Sequence, residues 1–154
     1  MSLRDQLATA LKDAMRARDQ RRVSTLRLIL AAIKDRDISM RTDADERDDD
    51  VIVTEILSKM VKQRRESMTA YEEGGRLELA EQEREELDII EEFLPRQLSA
   101  DEAEEACRNA LAETGAGSLK DIGKVMAVLK ERYAGRMDFA VASREVKRIL
   151  SDEN

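Results

Sequence analysis

Apolar residues recur every three or four positions along almost the whole chain, and this helical period constrains the fold more than any other sequence feature. Near the start, Leu3, Leu7 and Leu11 share one helix face, with Ser2 and Asp5 as a capping pair. The apolar–polar alternation of a half-buried strand never persists for more than a few residues. The pattern therefore predicts an all-α protein.

Breaks in the period divide the chain into seven predicted helices. The first has its helical spacing from Leu3 through Ala14, the second begins after Asp19, and the others cover about 49–73, 76–94, 99–114, 118–134 and 138–151. Residues 37–50 lose the period and are interpreted as an exposed connection. Gly74–Gly75, Gly115 and Gly135 stand where three of these helices end, a common place for glycine.

The only proline, Pro95, marks the predicted domain boundary. Proline disfavours a helical conformation in the residue before it, so the fourth helix is expected to end at Leu94. Ser99 and Glu102 then open the next helix as a capping box, Ser118 caps the sixth helix and Asp138 the seventh. We therefore predict a four-helix N-terminal domain over residues 1–94 and a small three-helix tail domain over residues 95–154.

Residue types that are missing exclude most familiar enzyme chemistry. The chain has no His and one Cys, so Ser-His triads, Cys-His dyads, imidazole acid–base catalysis and intrachain disulfides are excluded. We expect no metal and no cofactor, and we interpret Cys107 as a small buried apolar residue. Uncharged runs such as Leu28–Ile33 last six residues, whereas a membrane span needs about 20. The N-terminus lacks the apolar stretch of a signal peptide, so we expect a cytoplasmic protein.

Charge is distributed unevenly along the chain, although its net value is -7. Residues 1–36 hold nine basic and four acidic side chains, and the segment from 37 to 94 is strongly acidic. Within the tail, residues 116–150 hold eight basic and four acidic side chains. This balance argues against general DNA or nucleic-acid binding, because phosphate neutralisation needs clustered Lys and Arg, but it leaves local basic patches.

Catalytic motifs are not supported by the spacing of the residues. Gly117–Val125 looks like a phosphate loop, but it has five residues between its glycines where the motif needs four, and Val125 replaces the Ser or Thr. Ser143 and Lys147 lie one helical turn apart, as in a Ser-Lys dyad, yet no oxyanion donors can be identified. We therefore predict no intrinsic enzymatic activity.

The predicted helix over residues 118–134 carries the strongest candidate surface. One face is apolar, with Leu119, Ile122, Val125, Met126, Leu129 and Tyr133. The opposite face carries Lys120, Gly123, Lys124 and Ala127, with Lys130 at its margin. Small residues between lysines let an RNA or protein backbone approach while the ammonium groups reach phosphates. The alternative is an ordinary solvated face on a two-helix hairpin, which Glu131 within the stripe favours.

Three segments of the sequence resemble the GatB/YqeY family. Ser24–Lys34 resembles its second helix, Phe93–Ser99 its interdomain signature, and Gly123–Lys130 followed by Gly135–Asp138 its tail motif. Ile122, Ala127 and Phe139 depart from residues that are common in the family. The resemblance covers essentially the whole chain and implies an all-α fold in two parts.

The resemblance also implies a link to tRNA-dependent amidation. A similar module forms the tail of the GatB subunit of glutamyl/aspartyl-tRNA amidotransferase, where it helps to bind tRNA, and a like domain is appended to some glutaminyl-tRNA synthetases. The family's carbon–nitrogen ligase label, with glutamine as amido-N-donor, is interpreted as a property of the partner complex. We expect a non-catalytic tRNA-binding or tRNA-enzyme-associated module, with tRNA and a synthetase or amidotransferase as partners. The alternative is a helical protein–protein adaptor without RNA contact.

The residues expected to bind tRNA lie in the tail. They are Lys120, Gly123, Lys124, Lys130, Arg136, Arg144, Lys147 and Arg148. Recognition would be by RNA shape and backbone, because RNA helices expose phosphates and 2′-hydroxyls more readily than base edges.

Overall fold

The computed structural model describes residues 1–40 and 47–152. Within those residues it contains seven α-helices, one 3-10 turn and no strand, so the predicted all-α class is confirmed. The helices are α1 (Leu3–Ala17), α2 (Gln20–Ser39), α3 (Asp49–Glu73), α4 (Leu77–Glu91), α5 (Ala100–Thr114), α6 (Ile122–Tyr133) and α7 (Phe139–Asp152). In this part of the chain, no helix is both long and apolar enough to cross a membrane.

The helix starts confirm most of the predicted caps. The Ser2 side chain accepts a hydrogen bond from the Asp5 N–H, and Ser99 and Glu102 form both halves of the capping box. Hydrogen bonds from Arg96 and from the Ser99 backbone lower the pKa of Glu102 to about 2. The Asp138 carboxylate accepts from the Ala140 N–H at the start of α7.

Two predicted helix boundaries in the first unit are wrong. Residues 37–39 continue α2 and do not belong to the connection, of which residues 41–46 lie outside the described residues. Helix α4 ends at Glu91, three residues before the predicted Leu94. The N–H groups of Glu92, Phe93 and Leu94 bond to carbonyls three residues earlier. The chain tightens there because Pro95 disfavours α geometry at Leu94.

The first compact unit, Met1–Pro95, contains α1–α4. Helix α3 packs most extensively against α4, and α2 packs against α1 and α4. Its buried core is aliphatic apart from Thr25, whose hydroxyl donates to the Arg21 carbonyl. The fully buried residues Leu7, Leu26, Ile29, Val53, Leu57 and Ile90 form its centre.

The second compact unit begins at Arg96 and contains α5–α7, which pack against one another in pairs. Val125, Leu129 and Val146 are fully buried at its centre. Cys107 is also fully buried there, which confirms its interpretation as a core residue. Independent folding of residues 1–94 and 95–154 as two domains stays a prediction.

Candidate nucleic-acid interface

The candidate surface begins with a 3-10 turn, Leu119–Asp121, which leads into α6. Lys120 therefore lies in this turn. The prediction from the sequence, which placed it on the α-helix, is wrong. Ser118 precedes the turn, but its side chain makes no capping hydrogen bond, so its predicted role as a cap is wrong. Its carbonyl instead accepts from the Asp121 N–H at 3.1 Å. Such i→i+3 turns are common at helix N-termini, where the first N–H groups lack α-helical partners.

The apolar face of α6 packs into the second core as predicted, with one exception. Val125 and Leu129 are fully buried, and Ile122, Met126 and Tyr133 pack against the same cluster. Leu119 is 57 % exposed. It lies in the 3-10 turn, where the period differs from that of the α-helix, so the helical spacing did not apply to it.

The opposite face of α6 is open to solvent. Gly123, Lys124, Ala127 and Lys130 are all exposed. At about 100° per residue, Ala127 and Gly123 lie between Lys124 and Lys130 within an arc of roughly 120°. A Cβ atom added at Gly123 would have no neighbour within 4 Å among residues 1–40 and 47–152, so no contact with these residues requires a glycine at that position. We call Lys120, Gly123, Lys124, Ala127 and Lys130 the α6 surface.

The lysines of the α6 surface make no ion pair with a carboxylate of the described residues, whereas most of the described arginines do. Among the described residues, every ion pair uses an arginine and none uses a lysine. The contrast exists within α6 itself, where Arg132 lies 2.7 Å from a Glu113 oxygen of α5. An arginine fork matches a carboxylate, whereas a lysine ammonium is a strongly hydrated point charge. The three lysines of this surface therefore remain available to an external anion.

Arg136 has partners within its own unit. Its Nε donates to the Arg96 carbonyl at 3.0 Å, and its guanidinium lies 5.8 Å from the centre of the Tyr133 ring. Its carbonyl accepts from the Leu98 N–H at 2.9 Å. Arg136 thus joins the turn after α6 to the segment before α5, and its predicted contact with tRNA stays a prediction.

The three candidates on α7 differ in their surroundings. Arg148 is 2.5 Å from a Glu145 oxygen and 3.1 Å from an Asp152 oxygen, and its hydrogen bond lowers the pKa of Glu145. Much of its charge is therefore neutralised locally. Arg144 and Lys147 are exposed and make no ion pair with any residue that the structure describes. A role of these three residues in binding tRNA stays a prediction.

The described residues were also compared for clusters of metal-ligating side chains. Among residues 1–40 and 47–152, no three His, Cys, Asp or Glu side chains gather so that they could hold a metal ion. Burial raises the pKa of the Cys107 thiol, and nearby Glu145 and Glu104 raise it further, so this sulfur remains protonated.

A groove lies between α2 and α3, and it was not predicted from the sequence. It is lined by Ala32, Arg36, Glu55, Ile56, Lys59, Met60 and Gln63 and encloses about 370 Å³. The only sequence signal for it is that apolar residues occur on more than one face of α2.

The sequence is similar to one family model and to fungal proteins that share a single name. A family model described as "Yqey-like protein" matches residues 4–150. The protein named "Altered inheritance of mitochondria protein 41, mitochondrial" of Eremothecium gossypii is 37 % identical over 84 residues, which cover 54 % of this chain and 44 % of that protein. Its namesake in Lachancea thermotolerans is 36 % identical over 95 residues, covering 61 % and 49 %. The chain spans about half the length of the curated relatives it matches.

The cytoplasmic location expected from the sequence is contradicted by these relatives, which are named as mitochondrial proteins. An apolar stretch is typical of a secretory signal, whereas mitochondrial transit peptides are amphipathic and basic, so this criterion does not distinguish the cytoplasm from the mitochondrion. A single thiol fits any reducing compartment, so it also does not distinguish among them.

Proposed function

Because the chain belongs to the Yqey-like protein family, we propose that it is a non-catalytic module that binds tRNA through the α6 surface. One observation carries this proposal: three exposed lysines, which have no carboxylate partner among the described residues, flank two small residues on one side of the second unit. We further propose that it serves an enzyme of tRNA-dependent amidation or a tRNA synthetase, as expected from the likeness to the amidotransferase tail.

The chemistry of the α6 surface suits an RNA backbone. Lysine ammonium groups bind phosphates as point charges, and each phosphate that is neutralised releases counterions, which drives association at low salt. Gly123 and Ala127 leave the helix backbone accessible between the charges. The wide, shallow minor groove of an RNA helix presents phosphates and 2′-hydroxyls to a surface of this shape.

A titration of fluorescently labelled tRNA at several salt concentrations tests the proposal. The variant is Lys120→Ala/Lys124→Ala, and the matched control is Lys12→Ala/Lys62→Ala, which removes two lysines of α1 and α3 that are also exposed and make no ion pair with the described residues. We expect the α6 variant to bind at least about tenfold more weakly and to lose about one to two units of salt slope, because each phosphate contact contributes roughly 0.7–0.9. The control is expected to retain both values within about twofold.

Two results would contradict the proposal. Equal weakening by the two double variants would show that only net charge matters. A lack of tRNA binding at tens of micromolar protein, together with specific binding of a protein partner by the tail unit, would favour the adaptor without RNA contact.

A further inference from the structure

The groove between α2 and α3 has an apolar floor. Ala32 of α2 and Ile56 and Met60 of α3 line it, and Ala32 and Ile56 are only half-buried. Helix α3 packs mainly against α4, so the neighbouring pair α2 and α3 is left partly open. Apolar surface that the described residues of a chain leave open is a feature of partner-binding grooves.

Helix α2 extends this apolar surface beyond the groove. Leu26, Ile29 and Ile33 are buried in the first core, yet Leu28, on a different face of the helix, is 47 % exposed. Leu28 lies one turn before Ala32, and Ala32 one turn before Arg36, on the same i, i+4 ridge. This ridge is about 12 Å long, which is the length of roughly two helical turns.

The rim of the groove offers positive charge to a ligand. Lys59 is exposed and makes no ion pair with the described residues, and Arg36 is a second cation of the lining. Glu55 is the one acidic residue of the lining, and it is already paired with Arg47. The free charge at the rim is therefore that of a lysine, and it favours an acidic partner.

We propose that this groove, which is distinct from the α6 surface, binds two turns of an amphipathic helix with an acidic flank from another protein. Apolar side chains of that helix lie on Ala32, Ile56 and Leu28, and a carboxylate reaches the ammonium group of Lys59. This is the helix-in-groove mode of recognition, in which anchors at i, i+3 or i+4 and i+7 fill the floor. An RNA backbone does not fit this floor, because it has no apolar side chains to bury.

Synthetic helical peptides test the proposal with the full chain. One 14-residue peptide carries leucines at i, i+4 and i+7 with flanking glutamates, and a second replaces the glutamates by lysines. Kd is measured by fluorescence anisotropy, and the binding site by amide chemical shifts. We expect the acidic peptide to bind at least tenfold more tightly than the basic one and to shift amides of α2 and α3.

Two charge reversals on the same helix separate the groove from general electrostatics. Lys59→Glu is expected to weaken the acidic peptide at least tenfold. Lys62→Glu makes the same change of charge at an exposed position that does not line the groove, so it is expected to change Kd by less than threefold. Leu28→Gln tests the apolar surface that α2 extends beyond the groove and is expected to weaken binding several-fold. Thermal unfolding of each variant shows whether it remains folded.

Several outcomes would overturn the proposal. They are equal affinity for the two peptides, equal weakening by Lys59→Glu and Lys62→Glu, and amide shifts confined to the second unit. Concentration-dependent dimerisation that Lys59→Glu abolishes would assign the groove to a second copy of this chain. Displacement of the peptide by tRNA would assign it to RNA.

Discussion

In both compact units arginines form the ion pairs, but the unpaired lysines are placed differently: those of the first unit are spread over α1, α2 and α3, whereas three of the four in the second unit share the α6 surface. In the first unit, arginines connect helices that are distant in sequence: Arg4 of α1 donates two hydrogen bonds of 2.8 Å to Asp37 of α2 and one of 2.7 Å to Asp49 of α3. In the second unit, the α6 surface presents lysines that no carboxylate of the described chain neutralises. A paired arginine contributes to the fold, whereas an unpaired lysine remains available to a partner.

This difference also explains why net charge is a poor guide to binding in this chain. The first unit has nine basic side chains within residues 1–36, but several of them, including Arg4, Arg21 and Arg22, face carboxylates. The α6 surface has only three, and all of them face solvent. Local pairing therefore decides which cations can meet a phosphate.

The largest expected effect tests whether the two units are separate domains. Leu26→Ala in the first core and Leu129→Ala in the second each remove a fully buried side chain, and each is expected to cost about 2–5 kcal/mol. Hydrogen exchange should show lost protection in α1–α4 for Leu26→Ala and in α5–α7 for Leu129→Ala. Loss of protection in both units from either change would contradict the predicted domain boundary.

The next effect tests the structural role of the arginines. Arg4→Met removes the pairs with Asp37 and Asp49 and is expected to lower the free energy of unfolding by about 1 kcal/mol, because the geometry is good but the site is partly exposed. Arg27→Met is the matched control, since Arg27 is exposed on α2 and makes no ion pair with the described residues. It is expected to change stability by less than about 0.5 kcal/mol. Urea unfolding measures both, and equal losses would refute the assigned role.

The contribution of Arg4 is also expected to depend on pH. The hydrogen bond from Arg4 lowers the pKa of Asp37 below its ordinary value of 3.8. The folded state therefore binds this proton less readily than the unfolded state, and the stabilisation is complete above pH 3.8. It is lost as the pH falls through the lowered pKa. The stability difference between the native chain and Arg4→Met should shrink in that acidic range, and a difference that does not change there would contradict this explanation.

A smaller effect tests whether Gly123 serves a partner and not the fold. Gly123→Ala is expected to raise the free energy of unfolding by about 0.5–1 kcal/mol, because alanine is the better helix former and its methyl group has no neighbour within 4 Å in the part of the chain that the structure describes. Gly115→Ala is the control, because Gly115 has a φ of 66° and the same change there is expected to destabilise. If the α6 surface binds RNA, Gly123→Ala should also weaken tRNA binding. Unfolding by urea and the tRNA titration together decide this point, and a destabilised Gly123→Ala would refute it.

The smallest expected effect is on the stability of a chain without the lysines of the α6 surface. Lys120→Gln/Lys124→Gln/Lys130→Gln is expected to change the free energy of unfolding by less than about 0.5 kcal/mol, because none of the three makes an ion pair with the described residues. A loss of more than about 1 kcal/mol would show that these lysines contribute to the fold.

Periodicity in the sequence predicted the helices well, and its failures have local causes. The capping box at Ser99 and the buried stripe through Val125 and Leu129 were predictable because caps and helix faces depend on residues a few positions apart. Leu119 was misassigned because three residues of 3-10 turn cannot be distinguished from the first turn of an α-helix by spacing alone.

The partners of the candidate site residues could not be predicted, because they depend on contacts between distant parts of the chain. Arg136 meets the Arg96 carbonyl across 40 positions, and one of the partners of Arg148 is Glu104, 44 positions away. The groove between α2 and α3 also could not be predicted, because it depends on the distance between the two helices, which the sequence pattern does not give. Composition identified the basic tail, but only the folded structure shows which of its cations make no ion pair with the described residues.

The most direct test of tRNA binding by the α6 surface is to measure acetylation rates at all eight lysines by mass spectrometry, with and without saturating tRNA. Each lysine is free of ion pairs with the described residues and is therefore reactive in the free protein. We predict that tRNA slows acetylation several-fold at Lys120, Lys124 and Lys130 and leaves Lys12 and Lys62 unchanged. Equal protection at all eight positions, or protection confined to α1–α4, would show that tRNA does not bind specifically at the α6 surface.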